Sequence, residues 1–110
     1  MRPGGQRVKG ANFERWVAGR LREVWPTARR GLGQCRDGRE VADCDRNPYW
    51  IECKSDQRRS IDAAVRQALA ATDGRSIVVV SKRNRQEPLV TMRLEDWLAL
   101  HKTLTNGGTP

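Results

Sequence analysis

The segment from Ser76 to Ser81 is the most apolar run of the chain, and one isoleucine and three valines stand at its centre. β-Branched residues favour strands, and a continuous apolar run of this length is typical of a strand that is buried on both faces. Helices must then cover the two faces of the sheet to which the strand belongs. We therefore predict an α/β fold with residues 76–81 as its central buried strand.

Three amphipathic segments are predicted to supply the helices. Apolar residues recur at helical spacing from Gly10 to Trp25, in the segment that follows Ser60, and over residues 94–104. Ser60 is a plausible N-cap for the second helix, and Pro26 marks the end of the first. The third helix is expected to turn four residues inward: Leu94, Trp97, Leu98 and Leu104.

The remaining strands are predicted within residues 29–36, 40–45, 49–54 and 89–92, with Arg46-Asn47-Pro48 as the turn of a hairpin. The element order is α-β-β-β-α-β-β-α, and a helix between two strand runs favours a central mixed sheet of about five strands with crossover packing. We expect one domain over residues 10–104. Residues 1–9 are interpreted as a flexible basic arm and residues 105–110 as a disordered tail.

Charge indicates the class of partner. The chain has 110 residues, with 21 Lys and Arg against 13 Asp and Glu, so its formal net charge is +8. Arginine dominates and binds phosphate oxygens in a forked geometry, so a nucleic acid is the expected partner, with general solubility as the alternative. No apolar run reaches the ~20 residues of a membrane span, and we expect a cytoplasmic protein. Its three cysteines lack zinc spacing and are interpreted as small buried residues.

A group of acids and one lysine predicts hydrolytic chemistry. Glu52 and Lys54 are two residues apart and share a face of the predicted strand, and Asp43 on the neighbouring strand can join that face. Two carboxylates suffice for Mg²⁺, and the backbone carbonyl of Cys53 could supply a further oxygen. A cation held in this way can assist phosphodiester hydrolysis, while Lys54 orients the attacking water or balances developing charge.

Two further acids leave alternatives open. Glu14 lies in the first predicted helix beside its apolar stripe, where it could face the edge of the sheet or, alternatively, pair with Arg15 or Lys9 in solvent. Asp45 points the same way along its strand as Asp43 and could replace it as a ligand. Trp50 shares the face of Glu52 and either borders the site or packs under the first helix.

The segments Lys9–Arg15, Asp43 and Glu52-Cys53-Lys54 together resemble the PD-(D/E)XK nuclease superfamily, and the chain is most similar to archaeal-type and phage Holliday-junction resolvases and related small endonucleases. The resemblance covers residues 9–70 and extends to the rest only by element order. Ala42 stands where the family name has proline. No serine occurs in residues 16–50, where archaeal resolvases carry one, which weakens the case for strict four-way-junction specificity.

The resemblance implies a restriction-endonuclease-like core and a Mg²⁺-dependent endonuclease, with Mn²⁺ as a substitute, that acts on branched DNA in recombination or repair as a homodimer. It also implies that Glu14, Asp43 and Glu52 bind metal, that Lys54 assists the water, and that Gln67 lies near the site. An exposed helical glutamine is the alternative for Gln67, and a non-catalytic DNA-binding module with the same fold is the alternative for the whole chain. The DNA-binding residues are expected to be Lys9, Arg15, Arg29, Arg30, Arg36, Arg39, Arg58 and Arg59, with a solvated arginine-rich loop as the alternative.

Overall fold

The computed structural model describes residues 3–31, 40–55 and 60–107. Three helices and five strands follow one another in the predicted order, which confirms the α/β layout. The elements are α1 (Pro3–Leu21), β1 (Arg29–Arg30), β2 (Cys44–Asp45), β3 (Trp50–Lys54), α2 (Ile61–Ala71), β4 (Ile77–Ser81), β5 (Leu89–Thr91) and α3 (Leu94–Gly107).

The five strands form one mixed sheet in the order β1-β2-β3-β4-β5. β3 and β4 are parallel and joined through α2, whereas the other neighbouring pairs are antiparallel. A parallel pair needs a crossover connection, and α2 provides it. The central strand is therefore β3 rather than the predicted 76–81 run, although β4 is buried along its whole length as expected.

The core is divided by the sheet because alternate residues of β3 and β4 point to opposite faces. One cluster lies under α1 and contains Phe13, Val17, Ala18, Cys44, Ile51, Cys53, Val78 and Val80. The other lies under α2 and contains Ala42, Trp50, Ala64, Ala68, Ile77 and Val79. Trp50 thus packs against α2, and the alternative that it packs under the first helix is wrong.

α1 and α3 differ from their predicted bounds, and α3 continues to Gly107 instead of ending at residue 104. α1 begins at Pro3 instead of Gly10, because proline is well suited to the first helical position and none of the following residues stops the helix. α2 begins as predicted, since the Ser60 hydroxyl accepts a hydrogen bond from the backbone N–H of Ala63 at 3.0 Å. No helix among the described residues is long and apolar enough to cross a membrane.

The inward orientation predicted for the apolar residues of α3 is wrong. Leu94, Trp97, Leu98 and Leu104 are all exposed, and α3 has no buried residue in the part of the chain that the structure describes. The reason is topological: β5, which precedes α3, is the edge strand of the sheet, and none of the other described elements packs extensively against the helix.

Gly31 is required by the close approach of two backbone segments. Its N–H donates to the carbonyl of Asp43 at 2.8 Å, and a Cβ at this position would overlap the carbonyl oxygen of Ala42. We expect Gly31→Ala to destabilise the fold by roughly 1–3 kcal/mol, because the backbone must move to relieve the overlap. Urea unfolding measures this, with Gly10→Ala as the control: a Cβ on Gly10 would meet no atom of the described residues within 4 Å, and alanine in a helix should stabilise by about 0.5–1 kcal/mol. Equal effects of the two substitutions would contradict the prediction.

Candidate active site

Asp43 is fixed at the start of β2 by backbone and side-chain hydrogen bonds. Its N–H donates to the carbonyl of Ile51 at 2.9 Å, and its carbonyl accepts from the N–H of Gly31. Its carboxylate crosses to β3, where Oδ2 accepts a hydrogen bond from the N–H of Cys53 at 2.8 Å. The carboxylate therefore lies against the backbone of the residue that separates Glu52 from Lys54.

Glu52 and Lys54 share the α2 face of β3, as their spacing predicts. Lys54 Nζ lies 3.4 Å from Glu52 Oε2, and Glu52 is only 7% exposed. The same ammonium donates to Oε1 of Gln67 on α2 at 3.2 Å. Gln67 is exposed on α2, and this hydrogen bond brings its side-chain oxygen to the Lys54 ammonium.

Burial raises the pKa of Asp43 from its ordinary value of 3.8 to about 7. The hydrogen bond from the Cys53 N–H opposes this shift, whereas the negative charges of Glu52 and Glu14 add to it, and Lys54 only weakly offsets them. Two acids in a partly buried site are thus balanced by a single ammonium. The site as it stands is short of positive charge.

The pKa of Glu52 is raised as well, again chiefly by burial. The ion pair and hydrogen bond with Lys54 oppose the shift, and the charges of Glu40 and Glu14 add to it. A cation placed between Asp43 and Glu52 would lower the pKa of both groups, because an opposite charge nearby favours the ionised form.

Glu14 reaches the same region from α1 but has a partner of its own. Its Oε1 accepts a hydrogen bond from Nε of Arg30 at 2.7 Å, so the acid is not paired with Arg15, whose guanidinium bonds to Asn12. Glu14 is close enough to Asp43 to raise the pKa of that carboxyl. Its role as a metal ligand stays a prediction, and binding a cation directly would require it to exchange Arg30 for the metal.

The donor set fits a sparse site for a hard cation. The described residues contain no group of three or more His, Cys, Asp or Glu side chains suited to a metal ion. Two carboxylates remain, from Asp43 and Glu52, and Mg²⁺ is usually bound by one or two. Trp50 and Lys54 hydrogen-bond toward β4. Backbone directions alternate along a strand, so the N–H and carbonyl of Cys53 point the opposite way, toward β2. The Asp43 carboxylate lies on this side, where the Cys53 carbonyl could supply a further oxygen.

The carboxylate of Asp45 is directed to other partners than that of Asp43. Its carboxylate lies 4.0 Å from Nη2 of Arg29 and 3.9 Å from Nη1 of Arg75. The difference arises because Asp43 stands just before β2 and turns its side chain onto β3, whereas Asp45 faces β1 and the turn. The choice of Asp43 over Asp45 is therefore supported by the observed hydrogen bonds.

The two described cysteines are buried and free, as predicted. Cys44 Sγ and Cys53 Sγ are 3.9 Å apart in the core cluster under α1. The sulfur contact with Cys44 and burial raise the pKa of the Cys53 thiol, which therefore remains protonated and is a poor metal ligand. Cys35 lies outside the described residues.

Part of the predicted DNA-binding set can be located. Arg15 is exposed, Arg29 pairs with Asp45, and Arg30 pairs with Glu14, so the last two also hold acids in place. The other predicted contacts fall outside the residues whose side chains the structure describes: Lys9, Arg36, Arg39, Arg58 and Arg59.

Two residues near the site were not predicted. Arg75 donates to the carbonyls of Asn47 and Tyr49 at 3.3 and 3.1 Å, and its guanidinium lies 5.5 Å from the ring centroid of Trp50. It thereby fixes the turn between β2 and β3. Glu40 lies close enough to Glu52 to raise its pKa. Neither residue belongs to a local pattern, so only the folded arrangement reveals it.

A cavity of about 550 Å³ lies beside the site, between the β2–β3 region and the end of α2. Asp43, Glu52 and Lys54 do not line it, whereas Trp50, at the start of β3, does. The lining residues are Glu40, Val41, Ala42, Asp45, Trp50, Ala70, Ala71, Thr72, Asp73 and Arg75.

Comparison of the chain with protein-family models, with curated proteins and with solved structures found no match.

Proposed function

We propose that this protein is a divalent-metal-dependent endodeoxyribonuclease of the PD-(D/E)XK type that hydrolyses phosphodiester bonds in branched DNA. The observation that carries the proposal is the hydrogen bond from the Cys53 N–H to Asp43. It holds one carboxylate against β3 between Glu52 and Lys54. Two carboxylates beside one ammonium suit the hydrolysis of a phosphodiester better than they suit a structural ion pair.

Asp43 and Glu52 would hold Mg²⁺ or Mn²⁺ through their carboxylates, with the Cys53 carbonyl as a further oxygen donor. When bound, the cation supplies positive charge for the phosphate oxygens and makes water more acidic. The fit rests on two partly buried carboxylates accompanied by one ammonium, that of Lys54, and burial is the chief cause of the raised pKa of each acid. Glu14 would join as a ligand only after release from Arg30.

Lys54 would act on the attacking water and on the charge that develops at the scissile phosphate. Glu52 and Gln67 both contact its ammonium, so the group is oriented before substrate binds. Gln67 would therefore be a positioning residue that acts through Lys54.

DNA is proposed as the substrate because the chain carries a formal net charge of +8, mostly from arginine. Such contacts go mainly to phosphates, so preference among DNA molecules would come from shape, and branched DNA offers a distinct shape. A substrate of this kind fits a cytoplasmic protein of a bacterial or phage-infected cell.

A non-catalytic DNA-binding module with the same fold is the second candidate. It is favoured by the ion pair between Glu14 and Arg30, and by the lack of any three-acid metal group among residues 3–31, 40–55 and 60–107. In that case Asp43 and Glu52 would have no catalytic role and would only lie beside a basic DNA-binding surface.

A cleavage assay separates the two candidates. Four-way junction, flap, linear duplex and single-stranded DNA of matched sequence are incubated with the protein in Mg²⁺, in Mn²⁺ and in EDTA. We expect metal-dependent cleavage, preferentially of the branched molecules and with symmetric nicks at the four-way junction. If the protein binds DNA but leaves every substrate intact with both metals, the binding module is the correct description.

A further inference from the structure

The β4–β5 loop, residues 82–88, leaves the sheet beside Lys54. β3 and β4 are parallel, and Lys54 stands opposite Ser81 in their register, so the two strands end together. The backbone N–H of Lys82 then donates to the carbonyl of Lys54 at 3.0 Å. Ligands of open α/β sheets bind beyond the carboxyl ends of the parallel strands. The loop therefore begins at the end of the sheet where the candidate active site lies.

Two arginines of this loop have free side chains. Arg29 and Arg30, which were expected to contact DNA, are instead paired with acids. Among the arginines whose side chains the structure describes, four have neither a hydrogen bond nor an ion pair through the guanidinium: Arg46, Arg66, Arg83 and Arg85. Only Arg83 and Arg85 belong to the same segment, and both are exposed. The loop as a whole has three basic residues and one acid.

Arg85 occupies a backbone position that favours glycine. Its φ is 60° to the nearest ten degrees, or 61°, in the left-handed region. It is the third residue of a four-residue turn, in which the N–H of Gln86 donates to the carbonyl of Arg83 at 3.1 Å. Turn positions with positive φ are usually filled by glycine or asparagine, because a larger side chain costs free energy there. The turn itself therefore does not require arginine, and residues in such conformations concentrate at binding and active sites.

Phosphates are the ligand class that suits Arg83 and Arg85. A guanidinium binds two phosphate oxygens at once, in a geometry that a lysine does not offer. At most roughly 11 Å separates the Cα atoms of Lys82 and Arg85, because each residue of an extended chain spans about 3.6 Å. Each strand of a DNA duplex places one phosphate about every 3.4 Å along the helix axis. The two arginines therefore lie within a few phosphates of a linkage held at Lys54.

We propose, on the basis of the nuclease function proposed above, that Arg83 and Arg85 bind the DNA backbone beside the linkage that Lys54 acts on. The loop extends from β4, whereas Asp43 lies on the β2 side of β3. The DNA strand would thus cross the carboxyl end of β3, with one phosphate at the carboxylates and a neighbouring phosphate on the loop. Neither arginine takes part in the hydrolysis, and both fix where the strand lies.

Fluorescence anisotropy of labelled four-way junction DNA in EDTA tests this contact without cleavage. We expect Arg83→Gln/Arg85→Gln to bind on the order of 10- to 100-fold more weakly at about 0.1 M salt. Its plot of log affinity against log salt should be less steep by about two, because each lost phosphate contact removes about 0.9 from the slope. Arg20→Gln/Arg93→Gln is the matched control, since it removes the same charge from exposed arginines that are each paired with an acid. Its slope should equal that of the wild type.

Arg85→Gly separates DNA binding from folding. Glycine adopts a positive φ without steric cost, so the urea midpoint of this variant should be no lower than that of the wild type. The salt slope should nevertheless be less steep by about one, because one phosphate contact is lost. A lower midpoint together with weaker binding would assign the Arg85 side chain to the fold and not to DNA.

Uncharged methylphosphonates, placed one at a time along the junction strands, locate the contact. The wild type should lose affinity at a position within a few nucleotides of the one cut in Mg²⁺, and the double variant of Arg83 and Arg85 should show no loss there. An unchanged salt slope in the double variant would overturn the role of the loop even if the wild type cleaves DNA, and the proposed function would stand. A less steep slope in a protein that cleaves nothing would overturn the nuclease alone. A wild type that binds no DNA would overturn both.

Discussion

Asp43→Asn is expected to lower Mg²⁺-dependent DNA cleavage by on the order of 10³-fold. Asparagine has nearly the same volume, and its amide oxygen can still accept the hydrogen bond that Cys53 donates, so the start of β2 should keep its conformation. The site loses one of two negative charges that would hold a cation. Initial cleavage rates on a four-way junction measure the effect, and fluorescence anisotropy of labelled DNA should give an affinity close to that of the wild type.

Asp45→Asn is the matched control for this variant. It removes the same charge two residues away, from a carboxylate that faces Arg29 and Arg75 instead of the site. Its cleavage rate should stay within a few-fold of the wild-type rate. If the two variants cleave equally well, or if Asp45→Asn is the inactive one, Asp43 is not the ligand.

Lys54→Ala should be nearly as inactive as Asp43→Asn, because it removes the ammonium that Glu52 and Gln67 orient. Lys82→Ala is its control, because it removes an equal charge just beyond the end of β4, where Lys82 Nζ donates to the carbonyl of Arg83. Retention of cleavage by Lys54→Ala would show that the lysine only neutralises Glu52.

Metal-free wild-type protein is expected to become less stable as the pH rises. The pKa of Asp43 is about 7 in the folded chain and 3.8 when unperturbed, so the folded state holds this proton more tightly than the unfolded state does. Its contribution to stability is complete below about pH 4 and is lost as the pH rises through about 7, with an upper bound of about 4 kcal/mol. The raised pKa of Glu52 acts in the same direction.

Asp43→Asn removes this dependence, because an amide does not titrate. In EDTA at about pH 8 the variant should be more stable than the wild type by about 2 kcal/mol, and the difference should vanish near pH 4. Urea unfolding at the two pH values measures it, with Asp45→Asn as the control. Mg²⁺ should stabilise the wild type at the higher pH and not the variant. A difference between variant and wild type that does not change with pH would contradict the raised pKa.

The predictions that succeeded depend on local patterns. The apolar run at residues 77–80, the N-cap at Ser60 and the shared face of Glu52 and Lys54 each follow from the period of a strand or from the chemistry of a helix end. To predict that Asp43 lies beside Cys53, the pairing of two strands joined by a short turn also had to be assumed.

The features that were missed arise between distant residues. The apolar residues of α3 have the same period as those of a buried helix, and only the position of β5 at the edge of the sheet leaves them exposed. The ion pair between Arg30 and Glu14 joins residues that are 16 positions apart. Because the chain has a surplus of arginines, Arg30 was instead expected to contact DNA. Charge alone does not predict which acid pairs with Arg30, because each acid in the chain could pair with any of several arginines.

The most direct measurement of the metal site is an anomalous difference map from crystals of the DNA-free protein soaked in Mn²⁺. We expect a single strong peak between the carboxylates of Asp43 and Glu52, at the roughly 2.0–2.2 Å oxygen distances of a small hard cation, and no such peak in Asp43→Asn crystals. Crystals without a peak at these two acids, or with the same peak in the variant, would contradict a cation site built on Asp43.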